Sequence, residues 1–259
     1  TPTDAVGDLV EDDGAVGVGH GPVELDAEVD RPGVHHPQVG VGVEVLGAEP
    51  EAAVVLAQAR EERARALALA LHALHLDHDL PTAYLDARVT GEEAKAVMAL
   101  FQKRIDHRVP AAYLIGEARF AGLDFYVDDN VLIPRSPIAE LIEQGFAPWL
   151  DPEHVGSVLD LCTGSGCIGI ACAYAFPEAL VDLSDISPAA LDVATRNIER
   201  HRLERRVRAL RADVYDGLDG ERYDLIVTNP PYVSSAEMAG LPAEYRHEPE
   251  LGLEAGDDG

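Results

Sequence analysis

From Ser157 onward the chain alternates short apolar runs with stretches of helical period, and few architectures accept that rhythm. Residues 157–161, 180–184, 207–211 and 223–228 read as buried strands. Residues 167–176 and 188–201 read as the helices between them. Strands alternating with helices predict βαβ units, and hence an α/β domain with a parallel sheet and right-handed crossovers.

The preceding residues follow other periods. Residues 51–76 are rich in Ala, Leu, Arg and Glu, which favours a helix with Leu67, Leu71, Leu74 and Leu76 along a mostly apolar face. His72, His75 and His78 recur every three residues. No Cys or paired carboxylate completes a metal-ligand set, so they read as surface or helix-end histidines and no metal is expected. Thr90 and Glu93 have the spacing of a capping box. The helix they start is predicted to run to His107, to turn Val97, Leu100, Phe101 and Ile105 inward, and to end before Pro110. Residues 51–115 are thus expected to form a small helical domain. Phe120, Leu123, Phe125 and Val127 around Gly122 predict a hairpin, Asp128-Asp129-Asn130 a turn, and residues 138–150 a helix. Residues 116–150 then join the helical part to the sheet domain, 151–259. Residues 1–50 are acidic and rich in Gly and Val. They lack any aromatic residue, Ile or Met, and are expected to be weakly ordered, with stray strands among the alternating valines 39–45.

The chain has 259 residues, 47 acidic against 20 basic, for a formal charge of −27. That balance argues against binding governed by phosphates, and it favours a basic protein partner. Cys162, Cys167 and Cys172 are too few and too regularly spaced for a disulfide framework, which fits a reducing compartment. No apolar run is long enough to span a membrane and no basic-then-apolar leader opens the sequence, so the expectation is a cytoplasmic protein without a membrane partner.

Four places carry chemistry. The first is Asp160-Leu161-Cys162-Thr163-Gly164-Ser165-Gly166, where a strand gives way to a helix. Gly164 and Gly166 let a ligand approach the backbone, and the helix N-terminus favours polar or anionic groups. Alone, the turn fits a dinucleotide or no ligand at all. The second is Asp185, past the next strand, placed to accept both hydroxyls of a ribose. Its competing reading is a cap for the helix that starts near Pro188. Asp182 is a weaker candidate. The third is Asp213-Val214, where a carboxylate and an apolar face can meet an adenine edge; a solvated loop aspartate is the alternative. The fourth is Asn229-Pro230-Pro231-Tyr232 after the fourth strand. The prolines fix their backbone angles and remove two N–H donors. That leaves a rigid row of acceptors, the Asn229 side-chain oxygen and the Pro230 carbonyl. A planar NH2 group conjugated to a π system offers two donors to match, and Tyr232 can stack on its flat face.

Together these residues resemble the class I methyltransferases that use S-adenosylmethionine (SAM). Within them the chain is similar to the protein-glutamine N5-methyltransferases, on Val131-Leu132-Ile133-Pro134-Arg135 and on the stretches 132–150, 160–177 and 241–259. Those stretches look like the branch that methylates a large-subunit ribosomal protein, uL3. The release-factor branch usually has Gly where this chain has Cys162, and an acidic residue at Ser136-Pro137. The likeness covers about residues 65–259. It implies a Rossmann-like class I sheet preceded by a small helical domain. It implies that Cys162, Thr163, Gly164, Ser165 and Gly166, with Asp160, surround the methionine end of SAM. Asp185 would hold the ribose, and Asp213 and Val214 would lie at the adenine. Asn229 would contact cofactor and glutamine, with Pro230 and Pro231 shaping the site and Tyr232 packed on the amide. Cys162 is then a small strand-end residue rather than a nucleophile. The implied partner is a basic ribosomal protein.

Two other functions fit some of these features. NPPY also occurs in methyltransferases of adenine N6 and guanine N2, which the acidic balance opposes. The family's sheet has seven strands, whereas only four are read here. On that count the domain is expected to be incomplete, and the other alternative is an inactive truncated fragment that binds SAM weakly or only contacts a partner.

Overall fold

A computed structural model describes residues 50–77, 80–81 and 87–257, with side chains from residue 59 onward. The expectations for residues 1–49 and for His78 lie outside the described residues.

Helix α1 (Pro50–Ala73) is joined by α2 (Gly91–His107) and the short α3 (Ala111–Ile115). The capping box at the start of α2 is present: Glu93 N donates to Thr90 Oγ1 at 3.3 Å and Thr90 N to Glu93 Oε2 at 2.6 Å. The helix stops at Arg108, which takes the left-handed conformation. The inward face differs from the sequence reading in two places. Leu69 and Leu71 are buried among the described side chains of α1, while Leu67 and, beyond the helix, Leu76 are exposed. On α2, Ile105 faces outward and the Arg104 side chain turns in. Arg104 does so because it has partners there, Glu244 at 2.9 Å and the Val109 carbonyl at 3.2 Å. A charged group with two acceptors competes well for a half-buried position.

Strands β1 (Glu117–Phe120) and β2 (Leu123–Tyr126) form the hairpin, turned at Ala121-Gly122 with both residues at positive φ. Helix α4 covers only Ile138–Glu143, shorter than the expected 138–150. Gly145 and Phe146 both adopt left-handed angles, which ends the helix and drops the Phe146 ring into the core, stacked on Phe176.

The sheet domain follows: β3 (Ser157–Leu161), α5 (Cys167–Ala175), β4 (Leu180–Asp185), α6 (Pro188–His201), β5 (Val207–Arg211) and β6 (Leu225–Thr228). The sheet order is β5-β4-β3-β6, all parallel. Phe125, Phe176, Ile170, Leu183 and Val181 centre the core, so the hairpin seals one side of the sheet's apolar face. The order reverses at β3, with β4 on one side and β6 on the other. Open α/β sheets bind ligands outside the carboxyl ends of the strands at such a switch point. Beyond β6, β7 (Val233–Ser234), α7 (Ser235–Met238) and β8 (Glu254–Gly256) close a small loop region in which β7 pairs with β8. No helix among the described residues is long and apolar enough to cross a membrane.

Candidate active site

A cavity of about 270 Å³ opens at the carboxyl ends of β3 to β6. One wall is the turn from β3 into α5, the end of β4, Asp213-Val214 and the Asn229 loop. The other is residues 130–136 with Pro249, Leu251 and Gly252. Cys162, Thr163, Gly164, Ser165, Asp185, Asp213, Val214, Asn229 and Pro231 all line it. Asp160, Gly166, Pro230 and Tyr232 do not. Asp160 lies beneath the turn, Gly166 caps α5 with φ 80°, and Tyr232 is 68% exposed beyond the cavity rim.

The turn is held from below and from the side. Asp160 is fully buried; its Oδ2 accepts from Thr163 Oγ1 at 2.5 Å and from Gly169 N at 2.8 Å. Its Oδ1 is buried without a partner. Burial is the main cause that pushes the Asp160 carboxyl up to about 7; Asp185 adds to the rise, while the bonds from Thr163 and Gly169 oppose it. Asp185 Oδ2 accepts from Gly164 N and Oδ1 from Ser187 N, both at 2.9 Å. The N-cap of α6 is Ser187, whose side chain accepts from Ala190 N. Asp185 is therefore not that cap; it ties the end of β4 to the glycine turn and keeps free lone pairs toward the cavity.

Two residues on the wall are in a conformation their side chains disfavour. Cys162 has φ 59° and Val214 φ 52°. For a β-branched valine that is a true outlier, and such outliers persist where the surroundings fix them. Both line the cavity. The Cys162 thiol is raised by burial and further by Asp185, which keeps it protonated and unsuited to nucleophilic attack.

Asn229 follows β6, whose end is pinned by Thr228 Oγ1 donating to the Leu161 carbonyl at 2.8 Å. The Asn229 side chain makes no hydrogen bond to any other described residue and faces the cavity half-buried. Charge at the site is lopsided. Asp185 and Asp213 line the cavity and Asp160 lies under it. Among the described lining residues the sole cation is Arg135, which is already paired with Glu248. This cavity favours a cationic ligand over the anionic pyrophosphate of a dinucleotide.

Three residues that matter here escaped the sequence reading. Gly169 completes a G-x-G-x-x-G spacing with Gly164 and Gly166, and that spacing is the signal for it. Asn197 on α6 is fully buried and satisfied: Nδ2 donates to the Ser165 and Tyr126 carbonyls at 2.8 and 2.9 Å, and Oδ1 accepts from Tyr126 N at 2.7 Å. It clamps the hairpin to the glycine turn, and no local pattern announces it. Glu248 is the third. Asp182, in contrast, lies away from the cavity, held by Arg208 at 2.6 and 2.9 Å and by Tyr223 Oη at 2.7 Å.

The raised Asp160 carboxyl has a measurable consequence. Its pKa is near 7 folded against 3.8 ordinarily, so the folded state binds the proton more tightly. Wild-type stability should then fall as pH rises between those values. Asp160→Asn removes the titration. The melting temperature of the variant relative to wild type should rise between pH 5 and pH 8; a flat difference would show that Asp160 ionises normally.

The parallel sheet with its switch-point cavity is that of a class I methyltransferase domain, and the family model of the methyltransferase small domain matches residues 144–241. The chain is a relative of the ribosomal protein uL3 glutamine methyltransferases. It is 57% identical over 191 residues to the one from Xanthomonas campestris, covering 74% of this chain and 62% of that protein. It is 49% identical over 195 residues to that of Francisella tularensis, covering 75% and 62% respectively. For Bordetella pertussis the identity is 50% over 195 residues, covering 75% and 65%. The chain thus spans about three fifths of the length of the curated relatives it matches. A solved 16S rRNA N2 G1207 methyltransferase of T. thermophilus, in complex with AdoMet and guanosine, aligns over 45% of this chain and 32% of that one at 28% identity, with a TM-score of 0.37. That likeness is too slight to bear on substrate.

Proposed function

We propose that this chain is the methyl-transfer part of an enzyme that uses SAM to methylate the N5 amide nitrogen of a glutamine in a large-subunit ribosomal protein. The observation that carries the reading is Asn229. It is a side-chain amide without a partner among the described residues, on the wall of an acid-lined cavity at the switch point of a methyltransferase sheet. The names of the relatives supply the substrate class.

The residues fit SAM. Asp185 offers acceptors to the two ribose hydroxyls and Asp213 to the adenine amine, and an acid-lined cavity suits a ligand that carries a sulfonium and an ammonium group. SAM, when bound, supplies an electrophilic methyl group. The chain's own work is to hold the acceptor. An amide nitrogen is planar and its lone pair delocalised, so it is a weak nucleophile. The Asn229 oxygen and the Pro230 carbonyl would accept its two N–H bonds, aim the nitrogen, and stabilise the positive charge that develops as the N–CH3 bond forms and the S–CH3 bond breaks; one of the two N–H protons then leaves to solvent, giving the neutral methylated amide. Pro230 and Pro231 keep that row rigid because each fixes φ and neither donates. Tyr232, exposed beside the row, would cover the amide face once substrate arrives. Residues 51–115 are then the part that meets the ribosomal protein; they are nearly neutral, with nine acidic and eight basic residues, and the acid excess that draws a basic partner lies over residues 116–259, 27 acidic against 11 basic. A cytoplasmic location follows from a ribosomal substrate.

The test is transfer from methyl-labelled SAM, offered uL3 and ribosomal RNA side by side. Label on a uL3 glutamine is expected; label on RNA alone would overturn the reading. Asp185→Ala should weaken SAM binding by tenfold or more in a calorimetric titration, since a charge-assisted hydrogen bond contributes about 1.5–3 kcal/mol. Unchanged affinity would leave Asp185 as a tie for Gly164 and Ser187 only.

A further inference from the structure

One ion pair, with a buried carboxylate and a partly exposed guanidinium, has no part in the chemistry above. Glu248 lies between α7 and β8, its side chain 2% exposed. Its two oxygens accept from both terminal nitrogens of Arg135 at 2.9 Å each, and Oε2 also accepts from Ile133 N at 3.2 Å. Arg135 in turn lies 4.6 Å from the centroid of the Tyr245 ring. A carboxylate with three donors and a two-pronged guanidinium is a specific, oriented contact.

Its place in the fold gives it a task. Ile133, Pro134 and Arg135 line the cofactor cavity and also a second cavity of about 500 Å³, bounded by α1, α3 and the hairpin, with Glu248 and Tyr245 on its wall. They are the partition between the two. On the other side of the pair, Pro249, Leu251 and Gly252 continue from Glu248 into the cofactor-cavity wall. Both ends of the ion pair therefore lead within a few residues to adjoining parts of that wall, from segments 113 positions apart in sequence.

We propose that Arg135 and Glu248 are positioning residues. They form a clasp that holds residues 132–136 against residues 249–252, and so close the cofactor cavity on the side that faces the second one. The proposal rests on the cavity being the SAM site. Losing Glu248 would remove all three bonds that its oxygens accept, and losing Arg135 would leave the buried carboxylate with the Ile133 N–H alone.

The experiment measures SAM affinity by calorimetry for the wild type, Arg135→Lys, Glu248→Gln and the double variant, with hydrogen exchange of the ligand-free proteins. Lys keeps the charge and loses the fork, so the fold should tolerate it. Each single variant should bind SAM about tenfold more weakly, and the double no more weakly than the worse single, because the two act as one unit. The Ile133 amide should exchange about tenfold faster in Arg135→Lys, while unfolding stays cooperative. Single variants within about twofold of wild type, or losses that multiply in the double variant, would overturn the clasp. A wild type that fails to bind SAM would overturn the reading of the cavity instead. Exchange at Ile133 then decides the clasp by itself, and an unchanged rate would sink it. If Glu248→Gln does not fold, Arg135→Lys carries the same comparison.

Discussion

Replacing Asn229 by Ala should leave SAM bound and lower single-turnover methyl transfer by a factor of about 10² or more, a loss of roughly 3 kcal/mol of transition-state stabilisation. The binding half of this expectation comes from the division of the cavity wall. The glycine turn, Asp185 and Asp213-Val214 line the cavity independently of Asn229, which enters from β6 alone. The rate half comes from the side chain's freedom. It makes no hydrogen bond to another described residue, so its truncation leaves no orphaned partner and little reason for the fold to change. The end of β6 stays pinned through Thr228 and Leu161. An interaction made fully only as charge develops on the substrate nitrogen appears in kcat and hardly in KM. Calorimetry with SAM beside rapid-quench transfer separates the two. A wild-type rate in Asn229→Ala would remove the acceptor row from the mechanism, and lost SAM binding would make Asn229 a cofactor residue first.

The sheet was legible because its signals are local. Residues 157–161, 188–201 and 207–211 take the bounds their apolar patterns predict, and Thr90 with Glu93 caps α2 as the spacing requires. What could not be read depends on partners far along the chain. Arg104 displaces Ile105 from the inward face because Glu244 lies 140 residues away in sequence. Asn197 is indistinguishable from a surface helix residue until the hairpin and the glycine turn arrive on either side of it. The end of α4 turns on Phe146 being drawn into the core against Phe176, which outweighs the helical pattern of residues 138–150. In the site, the residues that meet the cavity were mostly identifiable as motifs. The left-handed backbone of Cys162 and Val214 was not, since neither residue type favours it. The uncommon angle at Cys162 gives a physical reason why glycine is the usual residue there in the release-factor branch: glycine adopts it without steric cost.

The second large effect is expected from a residue that touches no ligand. Gly169→Ala should destabilise the domain by about 1–3 kcal/mol, in the range of overpacked cores, and weaken SAM binding at the same time. A Cβ at position 169 would lie 2.2 Å from Leu183 Cδ2 and 2.8 Å from Asp160 Cβ. Leu183 and Asp160 are both fully buried, so neither has free space to move into. Helix α5 must then lift away from β3 and β4. The Gly169 N–H that donates to Asp160 moves with it, and Asp160 is also the partner of Thr163 in the glycine turn. One methyl group thus disturbs both the helix–sheet contact and the support of the glycine turn. Gly91→Ala is the control: a Cβ there meets nothing within 4 Å, at the first residue of α2. For a domain of this size each kcal/mol shifts the melting temperature by about 2–4 °C. Thermal melting of both variants with and without SAM reads both effects. Gly169→Ala should melt several degrees below wild type and gain less from SAM, while Gly91→Ala should match wild type or exceed it slightly. If Gly169→Ala melts with the wild type, Leu183 has repacked at no cost, and the third glycine is not what sets the approach of α5 to the sheet.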